Sequence, residues 1–430
     1  MISVNKILAI RPDAIGDGLL ITPALSLLKQ KFPAAEITVL ARGYSQAVFA
    51  RNPEISEVIE EIGDRKFDLS IHFYNELPYV LAARKAGIKY RLGDTAKPLL
   101  RPFYNLKSDR RWSDLTLHEV EHNILLLKPL GIGLPETPPP LQLGVKPRPQ
   151  GNTVGIHLGT GRGNRAWLPE RFARVADHLA EKGARVVLTG SGKEVDAANK
   201  ILSLCRNRPV NMVNKTTLLE LIDLIASYSM YVGVDTGPLH IAAALKVPTV
   251  AIFPSKFVKP SEWGPWQTRH VIIRKASQCR QRCLPADCPF DDCLKEITVE
   301  DVIEGIETIR AGGGNLNLAE ARLDWFKRSV NVLTNRDEIV RELSLSGFNA
   351  VKLENTLSLR GLLRQITRED INIIHWVGHA SSPALILARW LSIPQTPIPP
   401  LLLSEKERRD FSASTLLGYY IGRFKGRNYL

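Results

Sequence analysis

The sequence predicts an α/β fold. Two doubly wound α/β domains, residues 1–145 and 146–314, are followed by a smaller α/β unit over 319–430. Three observations carry that expectation. Short apolar runs alternate with helix-length stretches through both halves, the pattern of buried parallel strands joined by crossover helices. A proline-rich stretch from Leu134 to Asn152, LPETPPPLQLGVKPRPQGN, divides the two series and reads as a linker. Within the second series, MYVGVDTGPLHIAAALKVPTVAIFP (230–254) spells out strand, turn, helix and strand without interruption.

That stretch also predicts where a ligand sits, because open α/β sheets bind ligands at the carboxyl ends of their strands. Asp235 and Thr236 occupy capping positions, Gly237 permits an unusual backbone angle, and Pro238 suits the first helical turn. A helix start of this kind turns free N–H groups and the positive end of a dipole toward an anion, typically a phosphate. His240 follows within reach of the same ligand. Taken alone, the same residues also describe an ordinary capped helix.

From the amino end, Lys6–Arg11 reads as a buried strand, then PDAIGDG as a turn, then a helix from Leu20 to Lys31. Gly16 and Gly18 resemble the opening of a dinucleotide fingerprint, but the third glycine is missing, which argues against a dehydrogenase. Asp17 between them projects from the carboxyl end of the first strand, as a helix cap or as a general base. Strands are expected at Glu36–Leu40, Leu69–Phe73 and Tyr90–Gly93, and helices near Tyr44–Arg51 and at Glu76–Ala86. An irregular loop, Asp94–Asp114, follows with Lys97, Arg101, Lys107, Arg110 and Arg111 among aromatic residues. It is either solvated surface or a dock for an anionic acceptor or membrane face. HEVEHN, in a helix from Leu117 to Leu130, lacks the H-E-x-x-H order of zinc proteases and reads as an ordinary helix face.

In the second series, Thr153–Leu158 is a strand leading to a loop with Thr160, Arg162 and Arg165; Pro169–Glu181 is a helix; and Arg185–Thr189 is a strand ending in Gly190, Gly192 and Glu194. In one parallel sheet these loops and the Asp235–His240 turn share the carboxyl edge. There they offer amides, arginines and a lysine to one cleft, which is what a diphosphate requires. Cys279, Cys283, Cys288 and Cys293 follow in the order C-x3-C-x4-C-x4-C, four thiols that could ligate iron or zinc or simply stay reduced. A helix at Val299–Ile309 ends this series. The last unit alternates strands at Val330–Leu333, Ala350–Leu353 and Ile371–Trp376 with helices at 336–345, 357–365 and 384–391.

The formal net charge of +13, from 57 Lys and Arg against 44 Asp and Glu, favours an acidic partner. No nucleic-acid-binding signature accompanies it, so nucleic acid ranks last among such partners. No apolar run approaches the roughly 18 residues of a spanning helix, and the start lacks a secretory signal. A cytoplasmic protein is expected, with peripheral contact to the inner face of the cytoplasmic membrane.

Several of these pieces together resemble glycosyltransferase family 9, the ADP-heptose heptosyltransferases. The matching stretches are IRPDAIGDGLLITPAL, RAWLPERFARVADHL, TGSGKE, LLELIDLIASYSMYVGVDTGPLHIAAALKVPTVAIF and WGPW, in that order over about residues 1–311. The resemblance implies the GT-B architecture, two Rossmann-like domains facing a cleft. It also implies inverting transfer without a catalytic metal, from an ADP-sugar to a hydroxyl of lipopolysaccharide core or a related glycan. A protein acceptor, or a non-catalytic nucleotide-sugar-binding assembly role, is the alternative. By position, Asp17 matches the family's base. Donor contacts fall to Thr160, Arg162, Arg165, Gly190, Gly192, Glu194, Asp235, Thr236, Gly237, Pro238 and His240. Acceptor contacts are expected from Gly16 and Gly18 beside Asp17 and, because the basic loop suits an anionic acceptor, from Lys97, Arg101, Arg110 and Arg111. Arg165 stands where a lysine is usual, and W-L-P-E replaces W-P-x-E. The stretch IIHWVGHASSPALILARWLSIP looks like a piece of other nucleotide-sugar glycosyltransferases, and residues 319–430 are expected to serve packing, oligomerisation or acceptor contact.

Overall fold

The structure, a computed structural model, describes residues 4–109, 117–159, 166–253, 260–274 and 295–314, together with the backbone of four later strands. Three all-parallel sheets organise these residues. The first contains β1 (Lys6–Ile10), β2 (Glu36–Leu40), β3 (Glu57–Ile59), β4 (Leu69–His72), β5 (Tyr90–Asp94) and β6 (Leu106–Ser108), in the order β3-β2-β1-β4-β5-β6. The second contains β7 (Thr153–His157), β8 (Arg185–Thr189), β9 (Val210–Asn211), β10 (Met230–Val234), β11 (Thr249–Ile252) and β12 (His270–Ile273), in the order β12-β11-β10-β7-β8-β9. Both orders reverse direction once, between β1 and β4 and between β7 and β10, and a crevice opens at each reversal. The third sheet joins β13 (Asn331–Thr334), β14 (Asn349–Lys352), β15 (Ile371–Trp376) and β16 (Gln395–Pro397) in the order β14-β13-β15-β16.

The central strands are apolar almost throughout because helices cover both of their faces. Ile7, Leu8, Ala9 and Ile10 are all fully buried, and so is Val232 in β10. Among the described residues the helices are α1 (Ile15–Leu19), α2 (Thr22–Lys31), α3 (Leu77–Lys85), α4 (Glu119–Leu125), α5 (Pro169–Glu181), α6 (Val195–Leu204), α7 (Leu218–Ala226), α8 (Gly237–Ala244), α9 (Pro260–Trp263) and α10 (Val299–Arg310). Reciprocal capping boxes, Thr217 with Glu220 and Thr298 with Asp301, fix the starts of α7 and α10.

One apolar cluster runs from Leu19, Leu20 and Val120 beside the first sheet to Leu239, Ile241 and Trp266 beside the second. Polar ties reinforce it. Arg51 grips Asp223 of α7 through Nη1 and Nη2, the longer contact 3.0 Å, and His118 Nε2 lies 2.9 Å from the carbonyl of Gly264. The proline-rich stretch is pinned as well: Gln267 Nε2 donates to the Pro138 carbonyl at 2.8 Å.

Several elements differ from expectation. The PDAIGDG stretch expected as a turn holds the short helix α1, and the helix expected from Leu20 to Lys31 starts two residues later, as α2. Pro23 has no N–H to donate to the Leu19 carbonyl, and the Thr22 hydroxyl donates to it instead at 2.7 Å. Tyr44–Arg51 forms a 3₁₀ turn over Gly43–Val48, and the Asp94–Asp114 loop contains a 3₁₀ turn, Pro98–Phe103, and the edge strand β6. Strands β3, β9, β12 and β16, of two to four residues each, are too short to show a pattern in the sequence. HEVEHN is not an ordinary surface face, since His118, Glu119, Glu121, His122 and Asn123 are all buried. The helices expected at 336–345, 357–365 and 384–391 lie outside the described residues.

Candidate active site

The first half of the site begins where β1 ends. Arg11 continues the ladder by donating its N–H to the Leu40 carbonyl at 3.0 Å, and the chain then turns through Pro12 and Asp13 into α1. The Arg11 side chain is only 5% exposed, a costly place for a cation unless it is paired. It is paired on every side. Its Nε lies 2.9 Å from Asp13 Oδ1, Nη2 donates to Asp17 Oδ1, Nη1 donates to the Phe73 carbonyl at 3.0 Å, and Glu119 Oε1 lies 3.6 Å away. Burial alone would lower the Arg11 pKa; Asp17, Asp13 and Glu119 outweigh it and raise the value. Asp17, in the first turn of α1, keeps 24% of its side chain exposed, so the arginine holds one oxygen while the carboxylate still reaches solvent.

The second half begins where β10 ends. Asp235 donates its N–H to the Ile252 carbonyl, and Thr236 is the extended residue that precedes α8. The Thr236 hydroxyl does not cap the helix; it donates back to the Val234 carbonyl at 3.2 Å. Pro238 sits in the first turn without an N–H. Gly237 does not take the left-handed angle expected of it. Its glycine identity answers a close approach instead: a β-carbon there would stand 2.8 Å from Ile15 Cβ and 3.4 Å from the Gly16 nitrogen.

The two halves therefore meet at α1 and α8. Gly16 packs against the imidazole of His240, with no room for a β-carbon between them. His240 is 3% exposed, and among the described residues its Nδ1 has no hydrogen-bond partner. Burial pushes its pKa down to about 4, against the opposing pull of the Asp17 charge, so the ring is neutral near pH 7. A carboxylate on one turn, a neutral imidazole and a helix amino terminus on the other share one junction between the sheets. Such an arrangement can take a proton from a hydroxyl on one side and receive negative charge on the other.

The other candidates are distributed as follows. Gly18 is buried against the Phe49 ring. Gly190 and Gly192 lie at the end of β8, where Glu194 Oε2 accepts from both the backbone N–H and the hydroxyl of Ser191 in a capping arrangement. Lys97 pairs with Glu76 (Nζ–Oε1, 2.5 Å), and Arg101 Nε donates to the Thr95 carbonyl at 2.8 Å. Thr160, Arg162, Arg165, Arg110, Arg111 and the four cysteines Cys279, Cys283, Cys288 and Cys293 lie outside the described residues. Among the described residues no group of three or more His, Cys, Asp or Glu is arranged to hold a metal ion, and no helix is long and apolar enough to cross a membrane.

Sequence reasoning missed Arg11, Asp13 and Glu119 as parts of this centre. A charged residue ending an otherwise apolar strand, two residues before one aspartate and six before another, was the available signal for Arg11 and Asp13. Nothing local marked Glu119, which reaches the centre from α4. His157, at the end of β7, is also buried; its Nδ1 lies 3.0 Å from the Thr189 hydroxyl, and burial lowers its pKa to about 4.

Comparison with known proteins agrees with this geometry. Residues 55–293 match the family model described as glycosyltransferase family 9 (heptosyltransferase). The chain is 26% identical over 331 residues to lipooligosaccharide heptosyltransferase 2 of Campylobacter jejuni, covering 71% of this chain and 99% of that protein. It is 28% identical over 336 residues to lipopolysaccharide heptosyltransferase 3 of Escherichia coli K12, covering 68% and 95%. The solved structure of the E. coli ADP-heptose lps heptosyltransferase II superposes with a TM-score of 0.59 at 25% identity, covering 71% of this chain and 99% of that one. Two facing doubly wound sheets, a junction of α1 with α8, and a family match across more than half its length identify the chain as a GT-B glycosyltransferase belonging to glycosyltransferase family 9.

Proposed function

We propose that this glycosyltransferase moves a heptose, or a closely related sugar, from an ADP-linked donor to a hydroxyl of lipopolysaccharide core or a related anionic glycan. Transfer is inverting and metal-independent. The observation that carries the reading is the junction of Gly16 and Asp17 with Gly237 and His240, which puts a carboxylate opposite a helix amino terminus. Asp17 takes the proton of the acceptor hydroxyl as its oxygen attacks the anomeric carbon, and the bond from that carbon to the diphosphate breaks. One displacement at one face inverts the centre. The departing ADP carries its negative charge toward the Gly237 amide and the positive end of α8, with Arg162 and Arg165 as further cationic contacts. Neutral His240 offers a nitrogen to the same charge without a competing positive pair to Asp17. The names of the similar C. jejuni and E. coli proteins support both the sugar and the class of acceptor. The chemistry belongs in the cytoplasm, where nucleotide sugars are available.

A transfer assay tests it. Purified chain, ADP-heptose and a core acceptor should yield ADP and a product heavier by one heptose; a donor screen that finds turnover only with other nucleotide sugars would overturn the choice of sugar.

A further inference from the structure

Among the described residues, Tyr44, Leu77, Leu81, Leu99, Leu204 and Val210 are the large apolar side chains left in solvent. Three of the six, Leu77, Leu81 and Leu99, at 46%, 43% and 87% exposed, stand on one flank of the first sheet. Leu77 and Leu81 are one helical turn apart on α3, so they share a face, and Arg84 continues it. Leu99 belongs to the 3₁₀ turn Pro98–Phe103. Three observations join the turn to α3. Lys97 pairs with Glu76, the residue before Leu77; Val80, Leu100 and Tyr104 form a small common core beneath; and the Arg84 guanidinium lies 5.5 Å from the centre of the Phe103 ring. The three leucines therefore crown a packed platform and do not sit on a dangling loop.

The charge around them is one-sided. Between residues 76 and 107, Lys and Arg outnumber Asp and Glu seven to two, and one of the two acids, Asp94, is buried. Arg84, Lys85, Lys97 and Arg101 are all exposed and rim the leucines. A second copy of this chain would set these cations against their own kind, which disfavours self-pairing. Exposed leucines ringed by lysine and arginine suit a surface whose interior is apolar and whose face is negative.

We infer that the flank formed by Leu77, Leu81 and Leu99 with Arg84, Lys85, Lys97 and Arg101 docks on an anionic phospholipid surface. The leucines enter the headgroup boundary and the cations lie over lipid phosphates. Because α3 begins only four residues after Phe73, whose carbonyl holds Arg11, the docked face adjoins the edge of the sheet that carries Asp17. This surface is independent of which sugar is moved, and its test needs no turnover.

The experiment is flotation of the full chain with vesicles of phosphatidylcholine alone and of phosphatidylcholine with about one third phosphatidylglycerol. The chain should float with the anionic vesicles and remain behind with the neutral ones. The triple variant Leu77→Ser, Leu81→Ser, Leu99→Ser should bind the anionic vesicles at least about tenfold more weakly, from lost apolar insertion. The double variant Lys97→Gln, Arg101→Gln should also lose about tenfold, with less sensitivity to salt. The replaced side chains lie at the surface, so each variant should stay folded with a melting temperature no more than a few degrees below the parent. Equal binding to both vesicle types, absence of binding, or a triple variant that floats like the parent would overturn the proposal. So would concentration-dependent dimerisation that the leucine substitutions abolish, since the patch would then join two copies of the chain.

Discussion

A β-carbon built on Gly16 would stand 2.7 Å from Cδ2 of His240, closer than such carbons approach other atoms in folded proteins. This contact, with that of Gly237 against Ile15, joins the turn that carries Asp17 to α8, whose amino terminus is proposed to receive the negative charge of the leaving group. The backbone of Gly16 is ordinary helix, so alanine would be tolerated were it not for His240. Gly16→Ala should therefore act through separation of α1 and α8. It should cost roughly 1–3 kcal/mol of stability, as small overpacking does. It should also lower kcat/KM by at least about tenfold, because catalysis across a junction depends on sub-ångström placement. The companion Gly237→Ala, whose β-carbon meets Ile15 at 2.8 Å, should behave alike. Melting curves and steady-state kinetics on both variants check this; unchanged kinetics in both would separate the junction from the chemistry.

Arg11 holds Asp17 from behind, and its influence on turnover should pass through that carboxylate. Arg11→Gln should lower kcat by at least about tenfold, and Arg11→Lys should recover part of the loss because a cation is restored without the forked geometry. Placed on top of Asp17→Asn, Arg11→Gln should add less than about threefold, since residues that act as a unit are not additive. A purely structural role would give multiplicative losses. Rate measurements on the two single variants and the double variant separate these outcomes.

Three buried histidines should make stability pH-dependent. Burial drives the pKa of His72 down to about 3, with Arg91 adding to the effect, and those of His157 and His240 down to about 4. In the unfolded chain each titrates near 6.5, so on acidification the unfolded state takes up protons that the folded state refuses. Stability is full above about pH 6.5 and falls as pH drops toward 4, by up to about 1.4 kcal/mol per pH unit for each histidine. Carboxylates whose pKa values are lowered, among them Glu57 through its hydrogen bond to Arg65 and Asp223 through its bond to Arg51, act at more acidic pH. Urea unfolding at pH 7 and pH 5 should show a clear drop, and His157→Gln should flatten it. A midpoint that holds steady between those pH values would contradict the assignment of these rings as buried and neutral.

Much of this was legible before the coordinates. Parallel strands buried on both faces announce themselves as apolar runs, so β1, β2, β4, β7, β8, β10 and β11 could be placed within a residue or two. The edge strands could not, because β3, β6 and β9 have three, three and two residues, too few to show a pattern. Asp17, Thr236 and His240 stood out because glycine-bearing turns after strands are where such sheets present chemistry. The reason for the glycines was misjudged at Gly237: local spacing suggested a special backbone angle, whereas the cause is Ile15, more than two hundred residues away. Glu119 was invisible for the same reason, since a helix that looks amphipathic in isolation gives no sign that Arg11 waits on its polar side. HEVEHN shows the general limit. Periodicity reports which residues share a face, and only the tertiary fold decides whether that face meets water.

The most direct test of the central claim is the Asp17→Asn variant in the ADP-heptose transfer assay, with donor affinity measured on the same protein. Asparagine preserves shape and the contact with Arg11 but cannot accept the acceptor's proton. The account predicts that donor Kd changes by less than about twofold while kcat falls by about 10²–10⁴-fold, the usual loss for a removed general base. Turnover equal to that of the parent would contradict it, because the carboxylate at the α1–α8 junction would then have no part in the reaction.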